Sequence, residues 1–360
     1  MSISRKVWIC TLLLSLPPML AGHGIIQPFP AQAAPEAESL IRLHVVVNDK
    51  SGKPVSGLEQ KDFTVVDNKQ PEKILSFEAV TDATADSEPV EVVLVVDSVN
   101  ISFMRVAYVR DQIKNFLQKD GGKLARPVSI TFLSDSGLNA QGTSSRDANA
   151  LAGYLDQNPS SLRTITRSQG FYGADDRTQI SINGFEQLTA YAAQRPGRKI
   201  IICVSPGWSL LSGPNAEEGL TAKNKKAIFR TIVSLSTQLR QAGVTLYNVD
   251  PLGPTENEGR EFYYESFLKG VRSPNQVSLG DLALQVLAFQ SGGRVLSSSN
   301  DVAKEIARCV QDANAYYVIT FAPPAADGPN EYHALEVKIG QPHLKAQTTA
   351  GYYAQPTPKP

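Results

Sequence analysis

The sequence predicts an α/β protein: a doubly wound, mostly parallel six-stranded sheet, flanked by β-rich segments at the two ends of the chain. Three observations predict it. Runs such as Val92–Val96 and Ile200–Val204 are apolar at every position, the mark of strands buried on both faces. Helical patterns stand between these runs, which is the text of a parallel sheet covered by helices. Outside this region the apolar spacing falls to every second residue, as in antiparallel strands with one buried face.

The first 33 residues follow a separate logic. Arg5 and Lys6 precede an apolar run, Val7 to Leu20, and the small-residue pattern Ala31, Gln32, Ala33 follows. This is the layout of a secretory signal peptide, so residues 1–33 are expected to be removed and the chain exported to the periplasm or beyond the cell. A membrane anchor is the alternative. Pro17 and Pro18 interrupt the run, however, and it falls short of the roughly 20 residues a span needs.

From residue 40 to 80 the spacing of Leu43, Val45 and Val47, a Ser-Gly turn at Ser51 and Gly52, and a second pattern at Phe63 and Val65 predict a small antiparallel unit. A piece of about 40 residues rarely closes its own core. The acidic stretch Thr81 to Pro89 reads as a linker. Residues 89–312 then carry the α/β domain, with strands at Val90–Val96, Val128–Leu133, Lys199–Val204, Val244–Asp250 and Gly293–Ser297. Between and after them come helices at Phe103–Gln118, Asp147–Leu155, Gln179–Ala193, Ala222–Ala242, Leu279–Gln290 and Val302–Asp312. Strand text returns at 313–354, with "AYYVITFAP" and "YHALEVKIG" placed as a hairpin, and 355–360 is a disordered tail. The two β-rich ends are expected either to form one small β-sandwich, since neither has enough core alone, or to lie as separate flaps.

Composition excludes several function classes. Lys plus Arg number 35 and so do Asp plus Glu, with no basic stripe for nucleic acid or an anionic membrane. No CxxC or His/Cys cluster supports zinc. Cys203 and Cys309, left after removal of Cys10 with the signal peptide, read as buried small hydrophobes, with a disulfide as the alternative. Dinucleotide and P-loop chemistry lack their glycine-rich cradles, and "VSPGWS" lacks the first glycine of a nucleophile elbow.

The order of several phrases resembles a known family. "LVVDSVN", "KIIICVSPGWS", "GVTLYNVDPLG" and "SGGRVLSSSNDV", with "VVVNDKSGKPVSGLEQKDFTVVDNKQPEKILSF" before them and "AYYVITFAP" and "GYYA" after, are similar to von Willebrand factor type A domains, in particular the exported bacterial proteins grouped as VWFA-related. The resemblance implies a Rossmann-like sheet whose top face, in many relatives, holds a divalent cation such as Mg²⁺ in a metal-ion-dependent adhesion site. That site uses an Asp-x-Ser-x-Ser run, a loop Thr and a further Asp. Asp97 matches the first position, but Val99 and Ile101 stand at the two serine positions. Asn100 and Ser102 lie one place out of register, Thr178 fits the loop threonine, and Pro206 stands where the further acid belongs. The implied site is therefore degenerate: Asp97, Asn100, Ser102 and Thr178, with Asp175, Asp176 and Asp250 as substitutes. Each has a structural alternative, Asp97 accepting loop amides, Asn100 and Ser102 capping the helix at Phe103, and Thr178 capping the next.

Trp208, with Phe171 and Tyr172 in the long loop, are the residues expected to rim a partner-binding surface, beside the insert carrying Tyr263 and Tyr264. The expected function is non-enzymatic: recognition of a protein or cell-surface component through the loops at the carboxyl edge of the sheet. An envelope scaffold without a ligand site is the alternative, and an enzyme on the same sheet is the remaining one.

Overall fold

A computed structural model describes residues 40–81, 89–119, 121–140, 143–158, 171–208, 220–256 and 263–356. The expected signal peptide, most of the linker and the last four residues lie outside these. No helix among the described residues is long and apolar enough to cross a membrane.

The leading segment supplies β1 (Ile41–Asn48), β2 (Phe63–Asp67), β3 (Gln70–Glu72) and β4 (Ile74–Thr81). The α/β region follows as β5 (Val90–Asp97), α1 (Phe103–Gln118), β6 (Lys123–Ser134), β7 (Gly137–Ala140), β8 (Ser145–Asp147), α2 (Ala148–Gln157) and α3 (Phe171–Ala193). It continues with β9 (Arg198–Val204), α4 (Ala222–Gln241), β10 (Val244–Val249), α5 (Leu284–Gln290), β11 (Val295–Leu296) and α6 (Val302–Gln311). The chain closes with β12 (Ala315–Phe321), β13 (Glu331–Ile339), β14 (Lys345–Gln347) and β15 (Gly351–Ala354).

The central sheet runs β11-β10-β9-β5-β6-β7, with β8 also on β6. Its first five strands are mutually parallel, and β7 and β8 are antiparallel to β6. Among the described residues it thus has seven strands where six are expected. The difference lies at the β6 edge, where a two-residue turn ending in Gly137, at φ 97°, folds the chain back into a hairpin that the polar text after Ser134 does not announce. Alternate residues of β5 feed two cores. Val92, Leu94 and Val96 pack against α1, α2 and α6, while Val93 and Val95 pack against α3, α4 and α5. That double burial is why the run is apolar throughout.

The two β-rich ends interleave. One four-stranded sheet has the order β14-β1-β12-β4 and the other β15-β13-β2-β3. They share a core that includes Leu43, Val45, Phe63, Val65, Tyr317, Phe321 and Val337. Two local expectations are corrected here. The leading segment is not a self-contained antiparallel unit, because β1 pairs with β12 and β14 rather than with β2. Nor do β12 and β13 form a hairpin, since they lie in different sheets. Burial explains the exchange, because the pairs β1–β12, β4–β12 and β2–β13 bring strands of both ends over one shared core, while β2–β3 and β13–β15 stay within one end. Neighbouring tyrosines of a strand point to opposite faces, and in β12 both faces are covered. Tyr317 enters the sandwich core, while Tyr316 packs into the α/β core, so both are buried.

Cys203 and Cys309 are free thiols, each buried and on opposite faces of the sheet. The alternative of a disulfide between them is not realised.

Within the sandwich, Asp67, His333 and Tyr352 form a buried cluster. His333 Nδ1 lies 2.9 Å from Asp67 Oδ1, and the Tyr352 hydroxyl donates to Asp67 Oδ2 at 2.5 Å. The Asp67 hydrogen bond holds the imidazole pKa above its ordinary value, against the opposing effect of burial. A raised folded-state pKa means that the histidine's contribution is fully present below the ordinary value of about 6.5, and fades as pH rises through the folded value. Urea melts of wild type and His333→Gln are therefore expected to differ more at pH ~5 than at pH ~9. A gap that stays constant or widens with pH would contradict this account of the cluster.

Candidate functional site

The direction of winding reverses at β5, since β6 lies on one side of it and β9, β10 and β11 on the other. In open α/β sheets the crevice at the carboxyl ends of such strands is where ligands sit. Asp97 is the last residue of β5 and Ser205 is the first residue after β9. Val96 is paired with Val204, so these two polar residues come next to each other across the switch point.

Asp97 is only 2% exposed. Its Oδ1 accepts the backbone N–H groups of Val99 and Asn100 at 2.9 and 3.1 Å. Its Oδ2 accepts Asn100 Nδ2 at 2.8 Å and the Ser205 hydroxyl at 2.5 Å. Burial pushes the Asp97 carboxyl up from the usual carboxylate range, while the bonds from Ser205 and Asn100 pull it back. Asn100 Nδ2 also donates to Ser181 Oγ on α3 at 2.9 Å, which ties the loop after β5 to that helix. Ser205 Oγ in turn accepts the Gly207 N–H at 3.0 Å. Gly207 has φ 86°, and a Cβ there would lie 2.6 Å from Gln285 Nε2, so the turn closes only over glycine.

The other expected site residues are placed differently. Ser102 caps α1, its hydroxyl accepting the Arg105 N–H at 3.4 Å. Thr178 is neither a loop residue nor a cap. Helix α3 begins at Phe171, eight residues before the expected start, and the Thr178 hydroxyl donates to the Ala174 carbonyl one turn back. The polar text "ADDRT" reads as a loop, yet its charged residues tolerate a helix and the threonine finds its partner within it. Val99 and Ile101 are buried, one in each core of the α/β domain. Asp250 accepts the Leu252 N–H at 2.9 Å in its own loop, and Asp175 and Asp176 lie on α3.

Trp208 does not rim a surface. It is 3% exposed, its indole N–H donates to the Leu282 carbonyl at 2.7 Å, and its ring meets Phe185 edge-on at 5.2 Å. A large aromatic after a strand reads as exposed only if no helix covers it, and here α3 and the turn before α5 do. Phe171 and Tyr172 are the first residues of α3 rather than loop residues. Ser181 and Ser205 are the two site residues that sequence reasoning missed. Ser205 had a signal, since it follows an all-apolar strand as Asp97 does. Ser181 had none, being one serine inside a stretch of mixed residues whose burial the sequence does not mark.

A divalent cation of the kind the resemblance implies does not fit these residues. Such an ion wants about six oxygens. An ionised carboxylate offers about four acceptor positions, and four donors of the chain itself already fill those of Asp97. The buried amide oxygens on this edge without a hydrogen-bond partner, those of Asn100, Asn248 and Gln285, are neutral and fall short of six. Among the described residues no three His, Cys, Asp or Glu side chains converge as a metal site would need. What the arrangement does chemically is lock together the carboxyl ends of β5 and β9 and the middle of α3.

No protein-family model matches the chain, and no curated protein does. Among solved structures it is similar to the three N-terminal domains of the type V pili tip protein Mfa5 from Porphyromonas gingivalis, at 10% identity over 90% of this chain and 67% of that one, with a TM-score of 0.36. It is also similar to the pilus adhesin SpaC from Lactobacillus rhamnosus GG, at 13% identity over 84% of this chain and 43% of that one, again with a TM-score of 0.36. The chain thus spans less than half the length of SpaC, and likeness at this level carries no argument about what it binds.

Proposed function

We propose that this chain is an exported, non-enzymatic recognition protein of the von Willebrand factor type A kind, which meets a protein or cell-surface component through the carboxyl edge of its parallel sheet without a bound cation. The observation that carries this reading is Asp97. An acid at a topological switch point that accepts four donors of its own chain is engaged as a structural lock rather than presented as a base, a nucleophile or a metal ligand. The lock holds the surrounding loops in one shape, which lowers the ordering cost of binding. Beside it Met104, on the first turn of α1, is 77% exposed and offers an apolar, adaptable contact.

The test is binding of the labelled protein to intact cells of its source, with and without EDTA. Met104→Asp is expected to remove most of the binding, while Leu75→Asp, an equally drastic change on the exposed face of β4, leaves it unchanged. EDTA is expected to have no effect. Binding indifferent to Met104→Asp would instead favour the scaffold reading, and loss of binding in EDTA would return the cation to the site.

A further inference from the structure

Strand β15 lies at the edge of its sheet, and among the described residues β13 is its neighbour there. It has four residues, so few backbone bonds hold it, and short strands near a chain end open locally before the rest of a fold does. Its side chains tie it more widely. The Tyr353 hydroxyl donates to the Val271 carbonyl at 3.0 Å, and its ring meets Phe229 of α4 edge-on at 6.0 Å. Tyr352 enters the sandwich instead, where its ring lies 4.9 Å from that of His333, tilted by 32°.

The surroundings of His333 suit a charged ring. Nδ1 lies 2.9 Å from Asp67 Oδ1 and so carries a proton in either charge state. Nε2 is buried without a hydrogen-bond partner, and what faces it is Glu331 Oε1 at 3.7 Å. The Glu331 carboxylate is held in place, since its Oε2 accepts the Asp327 N–H at 2.6 Å. Glu72 on β3 adds a third carboxylate near enough to act on the ring by its charge. From α4, the Arg240 guanidinium faces the Tyr352 ring at 5.8 Å and brings a positive charge to the same group. A neutral imidazole turns a bare lone pair toward Glu331, whereas an imidazolium turns an N–H toward it.

We propose that His333, set between the carboxylates of Asp67 and Glu331, is an acid-fastened latch on β15: the imidazolium holds the Tyr352 ring by a cation–π contact, and the neutral ring lets the strand open. The latch differs from a general loss of stability because one strand opens on its own. Its opening frees Tyr353 from Val271 and α4, and so uncouples this end of the chain from the α/β domain. The raised imidazole pKa sets the direction, with the strand fastened at low pH and released as pH rises through the folded value.

Hydrogen exchange of the full chain at pH ~5 and pH ~9, each rate divided by the intrinsic rate at that pH, tests this. The β15 amides are expected to be less protected than those of β5 at both values. Relative to β5, their protection is expected to fall roughly two- to fivefold from the lower pH to the higher, the range of a cation–π contact. Tyr352→Leu, which removes the ring face, is expected to abolish that fall, and Glu331→Gln, a change at a partly exposed side chain, to reduce it. Equal protection of β15 and β5, a ratio that stays constant or rises with pH, or an undiminished fall in Glu331→Gln would overturn the inference. Recognition at Met104 is untouched by either result.

Discussion

Asp97→Ala is expected to lower the stability of the protein by roughly 3 kcal/mol, the cost of leaving more than one buried donor without its acceptor. The substitution strands four donors at once: two loop N–H groups, the Asn100 amide and the Ser205 hydroxyl. Each loses that acceptor, and the Val99 amide and the Ser205 hydroxyl do so where water hardly reaches. Asp97→Asn tests the cause, because it keeps the shape but turns one acceptor oxygen into an NH₂ facing Asn100 Nδ2 or the Ser205 hydroxyl. It is expected to recover part of the loss and no more. Urea melts of the three proteins measure this. A loss below about 1 kcal/mol for Asp97→Ala would place it among ordinary surface substitutions and refute the lock.

The second large effect lies at the joint between the two halves of the molecule. Asp312, just after α6, is wholly buried, and its Oδ2 accepts the Tyr247 hydroxyl at 2.6 Å and Arg294 Nη2 at 2.8 Å. Burial raises its pKa and the Arg294 charge opposes that. Its backbone carbonyl accepts Arg198 Nη1 at 2.8 Å, and the Arg198 guanidinium lies 4.4 Å from the centre of the Tyr316 ring in β12. Gln347 of β14 reaches into the same cluster, donating to the Gly292 carbonyl at 2.7 Å. Asp312→Ala leaves Arg294 as a mostly buried charge without its carboxylate, at a cost of about 3 kcal/mol or more. Asp312→Asn keeps an acceptor and is expected to lose less. Arg198 and Gln347 tie this cluster to the sandwich through backbone carbonyls that the alanine variant keeps, so its urea transition is expected to stay single and to move to lower denaturant, with fluorescence and circular dichroism melts that still coincide. An unchanged midpoint would contradict this account of the cluster.

How much of this was legible in the sequence depended on whether the signal was local. Helix α1 was legible to the residue and strand β5 to within one, because apolar runs and a Ser102 cap are written in consecutive positions. The exchange of strands between the two ends of the chain was legible only as a need for more core. Which strand pairs with which is a long-range choice, and the alternation in β1 is the same whether it faces β2 or β12. Helix α3 was read short because a polar stretch can be helix or loop, and nothing nearby decides between them. In the site, Asp97 was found as the acid that ends an apolar strand and Asn100 from the motif the resemblance implies, and Ser205 was passed over because it was weighed as a nucleophile and not as a donor. Trp208 was misplaced because burial of a single aromatic depends on helices far away in sequence.

The central claim is that the carboxyl edge is held by hydrogen bonds of the chain and not by a cation. The most direct measurement is the thermal melt of the wild-type protein in EDTA and in millimolar Mg²⁺, Mn²⁺ or Ca²⁺, with Asp97→Ala alongside. The expected result is one melting temperature for the wild type in all four conditions, and a lower, equally cation-independent one for Asp97→Ala. A wild-type rise of several degrees on adding a cation, absent in Asp97→Ala, would mean about 2.7 kcal/mol of binding at 100 times the dissociation constant and would contradict the account.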